Sequence, residues 1–330
     1  IFTGAVVPDC CDAVIMQENT NFADIRATID KSRPYNITLT QTAEVNNNIR
    51  SQGEEIESGE AVLKIGKRLN SADISLLANL GISQVYVFQP LVVGVLATGD
   101  ELVAIGYELQ SLAQIYNSNT PTLKSLLSDL PITIRDYGII PDNLEQTTIA
   151  VNEAMQDCDV LISTAGVSVG DYDFLTTVIE TLGQINHYKV AMKPGKPFVF
   201  GELNKNIDKP VLYFGLPGNP LSTVVGTLQF VIPALWQMSG ASVSEQPMPL
   251  TIKAKLISDI RKSPGRKDFQ RGVLSRDETG HYQVECFSRQ QSHRVKQLSR
   301  ANCFIVLDKD SGNVAAGNDV VVQPFPWLHR

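Results

Sequence analysis

Strand-like apolar runs and helix-like amphipathic segments alternate over residues 90–239, and no other feature of the sequence constrains the fold as strongly. The first run, residues 91–97, has no polar alternation, which is typical of a strand covered on both faces. A repeated β-α-β order implies a mostly parallel, doubly wound sheet with helices on both sides. We therefore predict a three-layer α/β domain.

Six strands and four helices are predicted within this domain from periodicity, caps and breakers. The strands are 91–97, 133–140, 159–163, 186–192, 198–201 and 211–214. The helices are 118–130, 143–156, 173–182 and 220–238. Asn117 or Ser118 is expected to cap the first helix, Gly183 to follow the third, and Pro233 to kink the last.

Three further regions flank the α/β domain, which we place at residues 90–240. Residues 1–60 contain turn signals and short apolar runs, which predict a partial β-rich domain. Residues 61–89 connect this domain to the α/β domain and contain a predicted helix at 71–80. Ser71 is expected to cap the helix and Gly81 to end it, with Ile74, Leu77 and Ala78 on one face. Residues 247–330 show short alternating segments at 250–256, 269–274, 282–287 and 303–307, which predict a small β-barrel or sandwich.

Composition narrows the class of protein. The 330 residues are 43% hydrophobic and 19% charged, as in ordinary globular proteins. We see no apolar run of about 20 residues, so no membrane span is expected. Five cysteines without a Cys-x-x-Cys pair favour reduced thiols and a cytoplasmic location.

Charge is distributed unevenly along the chain. Residues 250–300 contain 12 Lys and Arg against 5 Asp and Glu, a balance of +7, while the remainder has 16 basic and 30 acidic residues, a balance of −14. Such a basic module could attract an anion, although a solvated basic face is the simpler interpretation. Nucleic-acid binding fits poorly, because the module lacks interleaved aromatic residues and the chain is acidic overall.

Three glycine-rich turns follow or border predicted strands, where open α/β sheets bind ligands. They are Ser163-Thr-Ala-Gly-Val-Ser-Val-Gly170, Lys193-Pro-Gly-Lys-Pro197 and Gly215-Leu-Pro-Gly-Asn-Pro220. Small residues let a phosphate approach the backbone, and lysines suit a tetrahedral oxyanion. The candidate substrate-binding residues here are Gly166, Ser168, Gly170, Lys193, Gly195, Lys196, Pro217, Gly218, Asn219, Pro220 and Ser222.

Carboxylates next to these turns suggest a hard divalent cation. Asp100 and Glu101 follow the first strand, and Asp171 and Asp173 lie where a helix begins. A solvated loop is the alternative for the first pair, and stabilisation of the helix start is the alternative for the second.

The familiar nucleotide and hydrolase motifs are missing. No Walker A ending, no Gly-x-Gly-x-x-Gly and no Gly-x-Ser-x-Gly after a strand is present, and the histidines lack metal-ligand spacing. In the basic module, Arg266 on a glycine turn and the polar stretch 288–294 are candidate binding segments, with solvated loops as the alternative.

Taken together, these motifs resemble the bacterial molybdopterin molybdenumtransferase family of MoeA type, whose eukaryotic relatives include the gephyrin E domain. The resemblance is carried in order by residues 2–5, 49–56, 98–102, 115–119, 163–172, 193–197, 215–222, 264–272 and 302–307. It implies insertion of molybdenum from molybdate into adenylylated molybdopterin, with Mg²⁺-dependent release of AMP. It also implies that residues 61–89 belong to a dimer domain and that residues 90–240 bind molybdopterin.

The resemblance further implies roles for individual residues. Glu101 and Asp173 match cation-binding carboxylates. Thr3 and Asp142 match positions needed for activity, and Glu55 stands where aspartate is expected. Lys193, Lys196, Ser222, Arg266 and Ser292 match an oxyanion pocket.

Partners and alternatives follow from the same resemblance. It implies a homodimer, with molybdopterin adenylyltransferase as a further partner. In the family, a segment with an Asn-Ser-Ala-Met-Asp-Gly-Tyr-Ala motif precedes the match to Ile1, and the motif does not occur here. We therefore expect weaker activity and dimerisation from these residues alone. A molybdopterin adenylyltransferase and a gephyrin-like scaffold are the alternatives. The C-terminal β module and the two-lysine turn count against the first.

Overall fold

The computed structural model describes residues 1–166, 174–204, 209–246 and 248–329. They belong to two compact units, Ile1–Lys64 and Ile65–Arg330.

The first unit consists mainly of turns. It holds a 3-10 turn at Gln17–Asn19, the short helix α1 (Phe22–Ile25), and one isolated bridge between Thr20 and Leu39 in place of the predicted short strands. None of residues 1–64 is buried. Because strands gain stability by packing side chains against a covered face, the short apolar runs here lack what would order them.

The second unit contains the remaining regular elements. In chain order they are α2 (Ser71–Asn79), β1 (Leu91–Thr98), β2 (Leu102–Val103), β3 (Ile115–Tyr116), α3 (Asn119–Leu127), β4 (Ile132–Ile140), α4 (Leu144–Asp157), β5 (Val160–Thr164), α5 (Phe174–Leu182), β6 (Gly183–Lys189), β7 (Met192–Lys193), β8 (Pro197–Leu203), β9 (Val211–Leu216), α6 (Pro220–Gly226), a π-helical stretch (Thr227–Val231), α7 (Ile232–Met238), β10 (Ile252–Leu256), β11 (Lys267–Arg276), β12 (Tyr282–Cys286), α8 (Val295–Arg300), β13 (Cys303–Leu307) and β14 (Asp319–Pro324).

Helix α2 lies where predicted, with a different cap and a different buried face. Asn70, rather than Ser71, is the N-cap, and it forms a capping box with Asp73. The buried residues are Asp73 and Leu77, four positions apart, whereas Ile74 and Ala78 are exposed. Asp73 accepts a bond from the cap and pairs with Lys67 at 3.1 Å, so a polar residue takes the inward position.

The central sheet confirms the predicted α/β architecture. Its strand order is β4-β1-β5-β9-β8-β6, in which β4, β1, β5 and β9 pair in parallel and β8 runs antiparallel to both of its neighbours, β9 and β6. Helices α4 and α5 pack on one face around Leu96 and Leu161. Helix α3 and the π-helical and α7 segments pack on the other around Val95 and Ile162. Each fully buried aliphatic side chain stabilises this core by about 1.5–3 kcal/mol relative to exposure.

Residues Pro220–Met238 form one helical run through α6, the π-helical stretch and α7. The π geometry lies just before Pro233, whose ring nitrogen has no hydrogen to donate, and Ile232 N–H reaches back five residues to Thr227 O. The run is long and apolar enough to cross a membrane, which the sequence analysis does not expect, but 61% of the stretch is buried in the fold, as in the core helix of a globular domain.

The C-terminal region is a closed five-stranded barrel, as the sequence analysis predicts in outline. The strands follow one another as β12-β10-β14-β13-β11, and β11 returns to pair with β12. Val284, Cys303, Ile305 and Val322 fill the interior with no exposure. Strand β7 pairs in parallel with β11 and so attaches the α/β domain to the barrel.

Candidate functional site

Three loops of the α/β domain meet where β1, β5 and β9 end. A Cβ built on Gly166, after β5, lies 2.9 Å from Thr98 Oγ1 at the end of β1. A Cβ built on Gly218, after β9, lies 3.4 Å from Ala165 Cβ. The first distance leaves no room for a side chain at Gly166, and the second is an ordinary van der Waals contact, so the predicted glycine turns are packed side by side.

The loop after β1 concentrates negative charge. Gly99 has a φ of +142°, and a Cβ there would lie 2.5 Å from Glu101 Oε2, so the glycine makes room for the Glu101 carboxylate. Asp142 N–H donates to Asp100 Oδ1 at 3.0 Å and joins the ends of β1 and β4. Burial, together with the charges of Asp100 and Glu101, raises the pKa of Asp142.

This excess of carboxylate charge suits a hard cation such as Mg²⁺. The structure describes no group of three or more His, Cys, Asp and Glu side chains arranged to hold a metal ion. Asp171 and the predicted second ligand, Asp173, lie outside the described residues. The pairing of Glu101 with Asp173 therefore stays a prediction.

The loop after β5 begins with two left-handed residues, Ala165 at φ +70° and Gly166 at φ +65°. Ala165 N–H donates to Leu216 O at 3.0 Å, and Thr176 Oγ1 donates to Gly166 O at 3.3 Å. These bonds hold the start of the loop against β9 and α5. Ser168 and Gly170 lie outside the described residues.

The turn between β9 and α6 is held by side chains from neighbouring helices. Pro217 O accepts from Thr223 Oγ1 at 2.7 Å, and Gly218 O accepts from Asn119 Nδ2 at 2.8 Å. Asn219 occupies the N-cap position before Pro220, and its side chain makes no capping bond.

The two-lysine turn lies beside this helix and is attached to the barrel. The Lys193–Pro194 peptide is cis, and Gly195 has a φ of +97°. A Cβ on Gly195 would lie 3.9 Å from Cβ of the buried Ser222. Lys193 pairs in register with Asp268 of β11, and their Nζ and Oδ2 atoms are 3.8 Å apart. Lys193 is thus partly neutralised by a carboxylate that is itself buried.

A cationic cleft opens on the other side of this turn. Lys189, Lys196 and Arg266 line it together with Val190, Ala191, Pro264 and Gly265, around a volume of about 450 Å³. None of these lining residues is acidic, so the cleft suits an anion with several oxygens. The sequence analysis missed Lys189, which lies four residues before Lys193 and is brought to the cleft by the end of β6.

The candidate Ser292 lies on a loop held by a buried arginine that the sequence analysis also missed. Arg271 has no exposed surface, and burial lowers its pKa. Its guanidinium donates to the carbonyl oxygens of Arg289, Gln291 and Arg294 at 2.8–3.2 Å and to Gln290 Oε1 at 3.3 Å. Ser292 is half-buried and is not among the residues lining the cationic cleft.

The predicted residues Thr3 and Glu55 belong to the Ile1–Lys64 unit, where both are exposed. The loops around Gly166 and Gly218, the two-lysine turn and Arg266 all belong to the other unit, as do Asp100, Glu101 and Asp142.

Three family descriptions match the chain in succession. "MoeA N-terminal region (domain I and II)" matches residues 1–81, "Probable molybdopterin binding domain" matches residues 94–237, and "MoeA C-terminal region (domain IV)" matches residues 253–325. The second match contains the three packed loops and the two-lysine turn, and the third contains Arg266 and Arg271.

Named proteins show the same similarity. The chain is 40% identical to a molybdopterin molybdenumtransferase of Haemophilus influenzae, across 99% of this chain and 77% of that protein. It is 31% identical to gephyrin of Dictyostelium discoideum, across 97% of this chain and 47% of that protein. A molybdopterin biosynthesis MoeA protein of Pyrococcus horikoshii has a similar structure, with a TM-score of 0.75 and 26% identity across 97% of this chain and 74% of that one.

Proposed function

Because this chain belongs to the molybdopterin molybdenumtransferase family of MoeA type, a family of transferases in molybdenum cofactor biosynthesis, we propose that it inserts molybdenum from molybdate into adenylylated molybdopterin. AMP leaves when water hydrolyses the phosphoanhydride bond of that substrate, so that a new P–O bond to the water oxygen replaces the one that breaks. The observation that carries the proposal is the cleft lined by Lys189, Lys196 and Arg266, with no acidic residue among the described residues that line it.

The cleft supplies what recognition of molybdate needs. Molybdate is a tetrahedral dianion, and three cations around one small cleft offset its charge while their N–H groups donate to its oxygens. Lys193, held towards Asp268, fixes the start of the turn that presents Lys196. In this proposal Lys196 and Arg266 bind the oxyanion, and Lys193 keeps the turn that carries Lys196 in place.

The carboxylates at the end of β1 have a different task. Glu101 is proposed to bind Mg²⁺ together with Asp173, and Asp100 and Asp142 add negative charge beside Glu101. Held by Glu101 and Asp173, Mg²⁺ would supply positive charge to offset that of the phosphate groups. Glu101 is set for this role by Gly99, which leaves space for its carboxylate.

The adenylylated pterin is proposed to lie along the loops around Gly166 and Gly218. Their close packing exposes backbone rather than bulky side chains. A homodimer, handover from molybdopterin adenylyltransferase and a cytoplasmic location also remain predictions.

AMP release tests the proposal directly. The protein is mixed with adenylylated molybdopterin and Mg²⁺, and AMP is measured with and without molybdate. We expect molybdate to stimulate release. Absence of both release and pterin binding would contradict the proposed activity.

A matched pair of lysine variants tests whether the cleft binds molybdate. Lys196→Met removes one cleft cation and should raise the KM for molybdate about tenfold, equivalent to about 1.4 kcal/mol. Lys253→Met removes an exposed lysine of β10 and should leave KM unchanged. Equal KM values for Lys196→Met and the unaltered protein would show that Lys196 does not bind molybdate.

A further inference from the structure

A buried lysine lies just before the turn that carries Arg266. Lys262 is only 6% exposed, and its Nζ lies 2.8 Å from Ser311 O, 3.3 Å from Lys309 O and 3.4 Å from Ser263 O. Among the described residues, no Asp or Glu forms an ion pair with it within 4.0 Å. Its charge is therefore met by main-chain carbonyl oxygens.

Burying the ammonium group costs free energy, and its hydrogen bonds order the surrounding backbone. Lysine is almost never fully buried unless it is paired, because removing an ammonium from water is unfavourable. An ammonium has three donors, and here three carbonyl oxygens accept them. Bonds to a charged donor are stronger than neutral ones, so the three carbonyl groups are drawn together around Nζ.

The carbonyl groups held by Lys262 belong to two segments, and the first of them leads into the lining of the cleft. Ser263 starts the turn towards Arg266, and Lys309 and Ser311 lie in the segment after β13. Lys309 O also accepts from Gly265 N–H at 2.8 Å, so one oxygen links the lysine and the turn. Gly265 has a φ of +108°, which sharpens the bend before Arg266.

The turn is also fixed on its other side. Lys267 N–H donates to Ala191 O at 2.9 Å, where β11 meets the segment of β7. Arg266 therefore lies between two anchored neighbours, Gly265 and Lys267. Pro264, Gly265 and Arg266 all line the cleft with Lys189 and Lys196.

We propose that Lys262 is a positioning residue for oxyanion binding, whose buried ammonium holds the turn at residues 263–266 and thereby sets Arg266 in the cationic cleft. The anchoring of the turn stands on the contacts alone. The identification of the oxyanion as molybdate rests on the proposed function.

A purely stabilising role makes a different prediction from a positioning role. If Lys262 only stabilises the barrel, its loss lowers the melting temperature and leaves the kinetics of the folded protein unchanged. If it positions Arg266, its loss weakens the use of molybdate with a smaller effect on kcat.

Two measurements on Lys262→Met separate these roles. Amide exchange at Gly265 should accelerate about tenfold or more, because both partners of Lys309 O are disturbed. The KM for molybdate in AMP release should rise about tenfold, while kcat stays within about threefold. Circular dichroism confirms that the variant is folded.

Two further variants complete the experiment. Lys309→Met removes an exposed lysine from the same surface and keeps its carbonyl group, so KM and exchange at Gly265 should not change. Asn313→Ala removes the exposed acceptor of Lys262 N–H, a 2.9 Å bond, and should raise KM in the same direction by about two- to threefold if Lys262→Met does not fold.

Each outcome decides the proposal. Faster exchange at Gly265 with a raised KM supports it. Unchanged exchange at Gly265 overturns it. An unchanged KM for molybdate in a folded Lys262→Met or Asn313→Ala protein also overturns it, provided that the unaltered protein responds to molybdate. An equal rise in the KM of Lys309→Met overturns it as well. If the unaltered protein releases no AMP with molybdate, the proposed function fails, and exchange at Gly265 alone still decides the anchoring.

Discussion

At the scale of the residue, Arg271 shows how one side chain can hold a whole loop. Its guanidinium contacts three carbonyl groups and one side-chain amide of residues 289–294. Arg271→Met would leave these acceptors without their donor, and we expect the free energy of unfolding to fall by about 3 kcal/mol. Urea denaturation measures this change. Arg266→Met, which alters an exposed arginine, serves as the control and should change it little.

The five thiols should fall into two classes. Cys10 and Cys11 are exposed and Cys158 is buried, while burial raises the pKa of Cys286 to about 11 and that of Cys303 to about 12. Since the thiolate is the reactive form, we expect an aromatic disulfide reagent to modify two thiols quickly at pH 8 and all five after denaturation. Five fast thiols in the native protein would contradict the assignment.

The same shifts give a dependence of stability on pH. The folded state favours the neutral form of Cys286 and Cys303, so their contribution is fully present below the ordinary thiol pKa of 9.0. It is lost as pH rises through about 11 and then about 12. Because alanine has no thiol to titrate, the melting temperature of Cys286→Ala should fall less between pH 9 and 11 than that of the unaltered protein.

At the scale of the element, the end of β1 depends on Gly99. Gly99→Ala would strain a backbone at φ +142° and displace the Glu101 carboxylate. We expect a loss of about 1–2 kcal/mol in stability and a several-fold rise in the Mg²⁺ concentration needed for half-maximal AMP release. Gly106→Ala is a matched control, because φ is +100° there and no atom lies near the added Cβ. Only the first variant should change the Mg²⁺ requirement.

The sequence predicts elements well where hydrophobic pattern and burial agree. Strand β1 is an apolar run covered on both faces, and its predicted and observed bounds differ by one residue. Strand β14 and helix α8 were not predicted, because one is a short apolar run next to a proline and the other is a polar helix of six residues. Asn70 displaces Ser71 as cap because Asp73 completes the reciprocal bonds, which a single-residue preference does not reveal.

The residues of the candidate site also differ in whether the sequence alone can predict them. Glycine turns and paired lysines are local patterns, so Lys193, Lys196 and Gly218 can be singled out from the chain alone. Lys189, Lys262 and Arg271 draw their importance from partners brought near by the fold, such as the carbonyl groups of residues 289–294 and 309–311. Lys262 and Arg271 are basic residues in a basic module and carry no mark of being buried, and Lys189 is an exposed lysine that only the fold brings to the cleft, so these three were missed.

At the scale of the whole molecule, the two units should differ in protection from solvent. Residues 1–64 include no buried side chain, whereas Val93, Val95 and Ile162 of the central sheet have no exposure. We expect amides of residues 1–64 to exchange within seconds to minutes and those of β1 and β5 to exchange only on global unfolding. Hydrogen-exchange mass spectrometry tests this, and slow exchange throughout residues 1–64 would contradict it.

Strand β7 limits how the barrel can be exchanged between related proteins. Met192 and Lys193 lie within the α/β domain in sequence, yet they extend the sheet of the barrel through Lys267 and Asp268. The barrel is therefore not an interchangeable module made of residues 248–330 alone. A chimera that exchanges residues 248–330 alone would lose the matching edge, and a successful graft must carry the two-lysine turn with it.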